Sequence, residues 1–248
     1  MLKEERQAYI VHQVNLHNKI LSSHLSEQMQ VSEDTIRRDL SELAQEKKII
    51  KVHGGALSNS FHTGITSNDV YSVEEKKAIA LKAVRLIQDG MFVLTSGGTT
   101  IIELAKVLPK DLQATFITAS LPAAFEYANH PNIEVIMIGD RISKNSKMAV
   151  GGEAISTIQH INADLCILGV NAIDINNGLT DNDWEVVHIK KAMIKISKKV
   201  VALSISEKVN TSEQLRICDV DEIDILITEL KPEAVQLQPY KNKGIQIL

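Results

Sequence analysis

The sequence predicts an α/β protein in two parts: a small N-terminal domain of short helices and a hairpin, residues 1–57, then a larger domain, residues 72–248, on a mostly parallel sheet. Three observations carry this. Ahead of Gly54-Gly55 the apolar residues recur at helical spacing, and beyond Ser72 short β-rich runs alternate with helical stretches. Between them, residues 58–71 are rich in Ser, Asn, Thr and Gly without periodicity, and read as a linker. With 248 residues, 44% hydrophobic and 23% charged, the chain can bury a sizeable core, which excludes disordered, collagen-like and coiled-coil readings. No run approaches the roughly 18 apolar residues of a membrane span, and Met1 to Arg6 turns acidic where a secretory signal would turn apolar. A cytoplasmic location is therefore expected. Cys166 and Cys218 lie in apolar surroundings with neither disulfide-framework nor metal-ligand spacing, which suits a reducing compartment.

In chain order, Ile10 and Val14 mark the inner face of a first helix, and Leu21, Leu25 and Met29 mark a second that Ser22 can cap. After a tight join, Ser32 is positioned as N-cap of a third helix, with Glu33 and Asp34 in its first turn where the helix dipole favours acids. Ile36, Leu40 and Leu43 form its inner stripe and leave Thr35, Arg37 and Arg38 outside. Ile50 and Val52 alternate with Lys51 and His53 in a short strand that Gly54-Gly55 stops. Three short helices and a hairpin-like strand make a winged helix-turn-helix.

In the second part, Ser72-Val73-Glu74-Glu75 reads as a capping box opening a helix through Ile79, Ala83, Leu86 and Ile87 to Asp89-Gly90. Strands are expected at 92–94, 115–117, 135–138, 166–168, 200–203, 225–227 and 245–247, with helices near 100–107, 121–128, 153–160 and 183–196. Runs apolar on both faces imply a parallel sheet covered by helices, whose ligands bind at the carboxyl ends of the strands.

Two constellations carry chemistry. A helix that reads DNA must expose guanidinium groups and short hydroxyls, because arginine pairs bidentately with guanine or clamps phosphate. Ser32, Thr35, Arg37 and Arg38 meet that need, and Lys51 and His53, with Lys47 and Lys48, place further cationic or polar groups on the wing. The expected partner is a double-stranded DNA operator. Two arginines alone would read as a solvated helix face; the short helix, turn and wing around them favour the DNA reading.

The second constellation is Thr95-Ser96-Gly97-Gly98-Thr99-Thr100, between a strand and a helix. Its glycines admit an anion to backbone N–H groups, its hydroxyls add donors, and the helix N-terminus faces the same spot. A phosphate site is expected at Ser96, Gly97, Gly98, Thr99 and Thr100; a merely tight turn is the plain alternative. The loop lacks the GK[ST] of a Walker loop and the spacing of a dinucleotide fingerprint, so no nucleotide or other cofactor is expected. Ser120, Asp183, Glu185, Lys190 and Lys208 follow later apolar runs and could converge on the same rim, Lys208 as a point charge for phosphate. Surface lysines and a capping aspartate remain the alternative for these. His12, His17 and His24 fit no metal-ligand spacing, so no metal site is expected.

Val31-Ser32-x-x-Thr35-Ile36-Arg37-Arg38-Asp39-Leu40-x-x-Leu43, followed by Val52-His53-Gly54-Gly55-Ala56, closely resembles the DeoR family of bacterial transcriptional regulators, and the likeness covers nearly the whole chain. The resemblance implies a winged helix that binds an operator and a ribose-5-phosphate isomerase-like domain that senses a phosphorylated sugar or related metabolite. Lys47 stands where the family usually has a glycine, Ser96 where it commonly has Asp, Ala119 for Asn, Asp140 for Gly and Ile205 for Asp. The isomerase carries acids at positions held here by Leu168 and Asn171, neither of which can shuttle a proton beside a carbonyl, so binding without catalysis is expected. A repressor acting as a homo-oligomer on repeated half-sites follows. Two rivals stay open: a sugar-phosphate isomerase-like enzyme with an appended DNA-binding module, and a DNA-binding protein whose second domain only oligomerises.

The chain's net charge of -4 does not oppose this. Residues 1–57 carry eight basic and eight acidic side chains, so the whole excess of acid belongs to the remainder. Non-specific attraction to DNA should be modest and salt-sensitive.

Overall fold

The computed structural model describes residues 1–59 and 70–248; most of the expected linker lies outside the described residues. The chain divides into two compact units, Met1–Tyr71 and Ser72–Leu248.

The first unit runs α1 (Lys3–His17), β1 (Lys19–Leu21), α2 (Ser22–Met29), α3 (Glu33–Gln45), β2 (Ile49–Val52) and β3 (Gly55–Ser58). Its core gathers the inner stripes of the three helices: Ile10 and Val14, Leu25, then Ile36, Leu40 and Leu43, closed by Ile49 and Ala56 from the sheet. The sheet has three antiparallel strands in the order β1-β3-β2, where the sequence suggested a hairpin alone. Three-residue β1 carries too little pattern to read; its pairing with β3 over Lys19–Leu21 makes it a strand. That pairing explains Gly55, since a Cβ there would sit 2.1 Å from the Ile20 carbonyl oxygen. Ser22 does not cap α2 as expected: Leu21 holds the N-cap position without a side-chain bond, and the Ser22 hydroxyl donates to the Gly54 carbonyl at 3.2 Å. Ser58, expected in the linker, ends β3 and donates to Asn15 Oδ1 at 2.7 Å.

The second unit begins with α4 (Val73–Ala83), which a 3-10 turn extends to Leu86. The expected capping box is not formed, because Ser72 takes φ +51° and makes no side-chain cap bond. There follow β4 (Phe92–Thr95), α5 (Thr99–Lys106), β5 (Thr115–Thr118), α6 (Leu121–Ala128), β6 (Glu134–Met137), the hairpin β7 (Arg141–Ile142) and β8 (Ala149–Val150), and α7 (Gly152–Gln159). The chain then forms β9 (Leu165–Gly169), β10 (Ala172–Asp174), β11 (Gly178–Asp181), α8 (Trp184–Lys195), β12 (Val200–Leu203), β13 (Leu215–Cys218), β14 (Ile225–Ile227), α9 (Gln238–Asn242) and β15 (Gln246–Ile247). Seven strands form one parallel sheet in the order β15-β14-β12-β9-β4-β5-β6. Leu94 of β4 lies between Ile117 of β5 and Cys166 of β9. Strands β10, β11 and β13 form a separate antiparallel sheet.

The strand order positions the site. From β4 the chain builds outward through β5 and β6; from β9 it builds the opposite way through β12, β14 and β15. The connections therefore diverge between β4 and β9, and such a divergence opens a crevice at the carboxyl ends of the two strands.

Candidate functional site

On α3 the expected DNA-facing residues divide by what they already touch. Ser32 is the N-cap: its Oγ accepts from the Thr35 amide at 3.3 Å and lies 2.9 Å from Thr35 Oγ1, so both hydroxyls serve the helix start. Arg37 donates to Glu33 Oε2 at 3.1 Å and to Asp34 Oδ1 at 3.4 Å. Lys51 reaches from the wing to Ser41 Oγ at 2.6 Å and to the Arg37 carbonyl at 3.5 Å. Arg38 is exposed and, among the described residues, has no hydrogen-bond or ion-pair partner. His53 is exposed in a two-residue hairpin loop that Gly54 completes at φ +75°.

Asp39, in the middle of the Arg-Arg-Asp-Leu run, is not part of this surface. It is 2% exposed and takes Arg6 Nε at 2.5 Å, Arg6 Nη2 at 3.2 Å and Gln7 Nε2 at 3.3 Å, which ties α1 to α3. Glu42 likewise pairs with Lys3 at 2.6 Å. Two of the acids counted beside the arginines are thus neutralised from α1.

In the second unit the turn after β4 meets the end of β9. A Cβ at Gly169 would lie 2.6 Å from the Gly97 carbonyl oxygen, and one at Gly97 would lie 3.2 Å from Ser120 Oγ. Gly98 starts α5 at φ +115°, a conformation that side chains resist. Thr99 and Thr100 form the first turn, and their hydroxyls have no hydrogen-bond partner among the described residues. Ser96 turns away: it is fully buried, and its hydroxyl accepts from the Gly169 amide at 2.9 Å and donates to the Gly97 carbonyl at 3.3 Å. Its hydroxyl welds the strand ends, so it is withdrawn from the set of ligand donors expected there.

Lys208 reaches the end of β9 from the segment after β12. It is 8% exposed, and its Nζ donates to the carbonyl of Val170, the residue after β9, at 3.3 Å. Among the described residues it has no ion pair. Burial, and then the charges of Lys76 and Lys190, push its ammonium down to about 7, against the pull of Asp181 and Glu213. Lys190 is buried too, but its Nζ is held at 2.8 Å by Asp181, which also accepts from Asn171 Nδ2 at 2.9 Å.

The remaining expected residues take plainer roles. Ser120 caps α6, accepting from the Ala123 amide at 3.4 Å, while its position against Gly97 keeps it beside the turn. Asp183 caps α8, accepting from the amides of Glu185 at 3.1 Å and Val186 at 3.4 Å. Glu185 pairs with Arg141 of β7.

Lys76 and Asp181 went unread. Lys76 is 6% exposed on α4, and burial lowers it to about 8 against Glu103, Glu75 and Glu207. It shares a helical stripe with Ile79, Ala80 and Ala83, so a charge on an apolar face was the available signal.

Residues 6–61 match the family model described as a DeoR-like helix-turn-helix domain, and residues 71–230 the one described as the DeoR C terminal sensor domain. The chain belongs to the DeoR family of transcriptional regulators. It is 33% identical to the HTH-type transcriptional regulator GolR of Listeria innocua, covering 100% of this chain and 98% of that one. It is 31% identical to the transcriptional repressor GlcR of Bacillus subtilis (100% and 96% covered) and 26% identical to the glycerol-3-phosphate regulon repressor of Escherichia coli (100% and 99%). These relatives are regulators, not enzymes. A solved ribose-5-phosphate isomerase in complex with phospho-erythronic acid matches 54% of this chain and 53% of its own at 18% identity and a TM-score of 0.42.

Within the DeoR family pattern, the departures at Ser96, Lys47 and Asp140 have local explanations. Lys47, in place of glycine, itself takes φ +59° after α3. The Lys48 amide donates to Leu43 O at 2.9 Å and the Lys47 amide to Ala44 O at 3.0 Å, the bonds of a Schellman close. The helix end is therefore kept, with a strained residue in it. Asp140 accepts from the Ala154 and Arg141 amides at 3.1 Å and 2.6 Å, bonds that hold its carboxyl below the usual range, so it caps α7. Ala119, Leu168 and Ile205 are buried.

Proposed function

We propose that this DeoR-type regulator is a repressor of sugar-metabolism genes, controlled by a phosphorylated sugar or related metabolite bound in the crevice between β4 and β9. The observation that carries the reading is Lys208: a nine-tenths buried ammonium with, among the described residues, one neutral acceptor, at the end of β9 that packs on a glycine turn whose two threonine hydroxyls have no partner among the described residues. Burying a cation without a counter-charge is costly, and a phosphate would supply that charge. Gly97, Gly98, Thr99 and Thr100 would hold its oxygens, and Ser120 lies beside them. Lys190 is better described as the partner that orders Asp181 and Asn171. The names of the E. coli and B. subtilis relatives support a repressor.

Control requires that the metabolite prefer one arrangement of the protein over another, since equal affinity for both would shift nothing. A homo-oligomer on repeated half-sites fits the few base pairs one helix can contact. Trp184, the single tryptophan, begins α8 beside the Asp183 cap and provides a readout. Sugar phosphates titrated into purified protein should change its fluorescence and raise its melting temperature. The same compounds should alter gel-shift affinity for DNA upstream of the protein's own gene. A panel that moves none of the three would reduce the second domain to an oligomerisation role.

A further inference from the structure

The two adjacent arginines of α3 are unequal. Ile36, Leu40 and Leu43 point inward, so helical spacing puts Arg38 near the middle of the opposite face, with Arg37 rotated toward the wing. The wing side is identified by Lys51, whose Nζ reaches Ser41 Oγ at 2.6 Å and the Arg37 carbonyl at 3.5 Å. Arg37 is held by Glu33 at 3.1 Å and Asp34 at 3.4 Å, and this trio carries one positive and two negative charges. Arg38 has no such partner among the described residues.

We propose that Arg38 is the base-reading arginine, pairing bidentately with a guanine edge in the major groove, whereas Arg37 and Lys51 brace the helix and contribute sequence-independent contact. The inference rests on α3 being the element that enters DNA. A guanidinium can offer its two-donor fork to O6 and N7 of guanine only if the fork is not already occupied. Arg38 meets that condition; Arg37 would first have to leave two carboxylates that repel the phosphates around them.

The test uses the full-length protein and a duplex selected from a randomised pool by the wild type, with a scrambled duplex of equal length and composition. Arg38→Ala should weaken binding to the selected duplex about 5- to 150-fold and to the scrambled one less than about 3-fold. Arg38→Lys should not restore the preference, because an ammonium lacks the fork. Arg37→Ala should change both affinities in parallel. Parallel losses for Arg38→Ala, or rescue by Arg38→Lys, would overturn the assignment in favour of a phosphate contact. If Arg38→Ala and Arg37→Ala leave both duplexes bound as before, α3 is not the DNA-entering element, and that deeper reading fails. Both side chains are exposed, so circular dichroism should show both variants folded as wild type.

Discussion

The recognition helix and the strand-end crevice both gather positive charge, and they handle it in opposite ways. On α3 and the wing the cations stay in water: Arg37 leans on Glu33 and Asp34, Lys51 of β2 on a hydroxyl and a carbonyl, and Arg38 is exposed. Around Lys208, at the end of β9, Lys76 and Lys190 are near enough to repel it; all three are nine-tenths buried or more, and Lys208 lacks an ion pair among the described residues. Exposed charge costs little to hold and can wait for a long polyanion; buried charge is costly until an anion arrives. The first arrangement suits reading a surface, the second sensing a small molecule. Arg6 and Asp39 form the exception in the N-terminal domain, a pair with the aspartate buried and the arginine partly so, whose work is to fasten α1 to the recognition helix.

That exception gives the largest expected effect. Asp39→Ala leaves Arg6 without its partner and should cost about 3 kcal/mol, read from urea denaturation. A cost below about 1 kcal/mol would put the pair among ordinary surface salt bridges and remove the contrast within this domain.

Lys208→Met tests the other half. It should stabilise the ligand-free protein by about 2 kcal/mol near pH 7 while abolishing stabilisation by sugar phosphates. The pH dependence has a definite sign. With the folded ammonium lowered from 10.5 to about 7, the unfolded chain binds more protons between those values, so wild-type stability rises with pH across that window. Burial lowers Lys76 to about 8 and adds in the same direction. The advantage of Lys208→Met should therefore be greatest at or below pH 7 and shrink toward pH 10. A destabilised variant at pH 7 would mean that Lys208 already has its counter-charge inside the protein.

The smallest effect belongs to the end of the recognition helix. Lys47→Gly relieves a residue at φ +59° and should raise stability by under about 1 kcal/mol, part of the gain being lost to the freer unfolded chain. Specific DNA affinity should be unchanged, because the Schellman bonds are already present. Altered DNA affinity would show that the lysine side chain itself touches DNA.

How much of this was legible varies with how local the cause is. All seven strands of the parallel sheet were readable as short apolar runs, those of β9, β12 and β14 buried on both faces and those of the edge strands β6 and β15 only in part. Helices α5 to α8 were readable within a residue or so at each end. The short β1, β7, β8, β10, β11 and β13 were not, since two to four residues carry no clear period, and β1 and β13 also find their partners β3 and β11 far away in the chain. The same divide runs through the sites. Ser32 as N-cap, the exposed arginines and the glycine turn follow from neighbours a few residues away. The inward Ser96, the Arg6–Asp39 clasp and the Lys190–Asp181 pair depend on contacts 73, 33 and 9 residues apart.

By itself the sequence determined the two domains' architectures, the family and the outward face of α3, because periodicity, caps and glycine turns act within a few residues. The tertiary structure decided which charges are spent and which are free. Arg37 and Arg38 are the local case, since Glu33 and Asp34 lie four and three residues before Arg37 on the same helix; the buried lysines are the tertiary one. Lys190 and Lys208 read alike until α8 meets β11 and gives one an aspartate, while the segment after β12 meets the end of β9 and gives the other, among the described residues, only the Val170 carbonyl. A charge's function depends on its desolvation and its partners, and both are set by residues that meet only when the chain has folded.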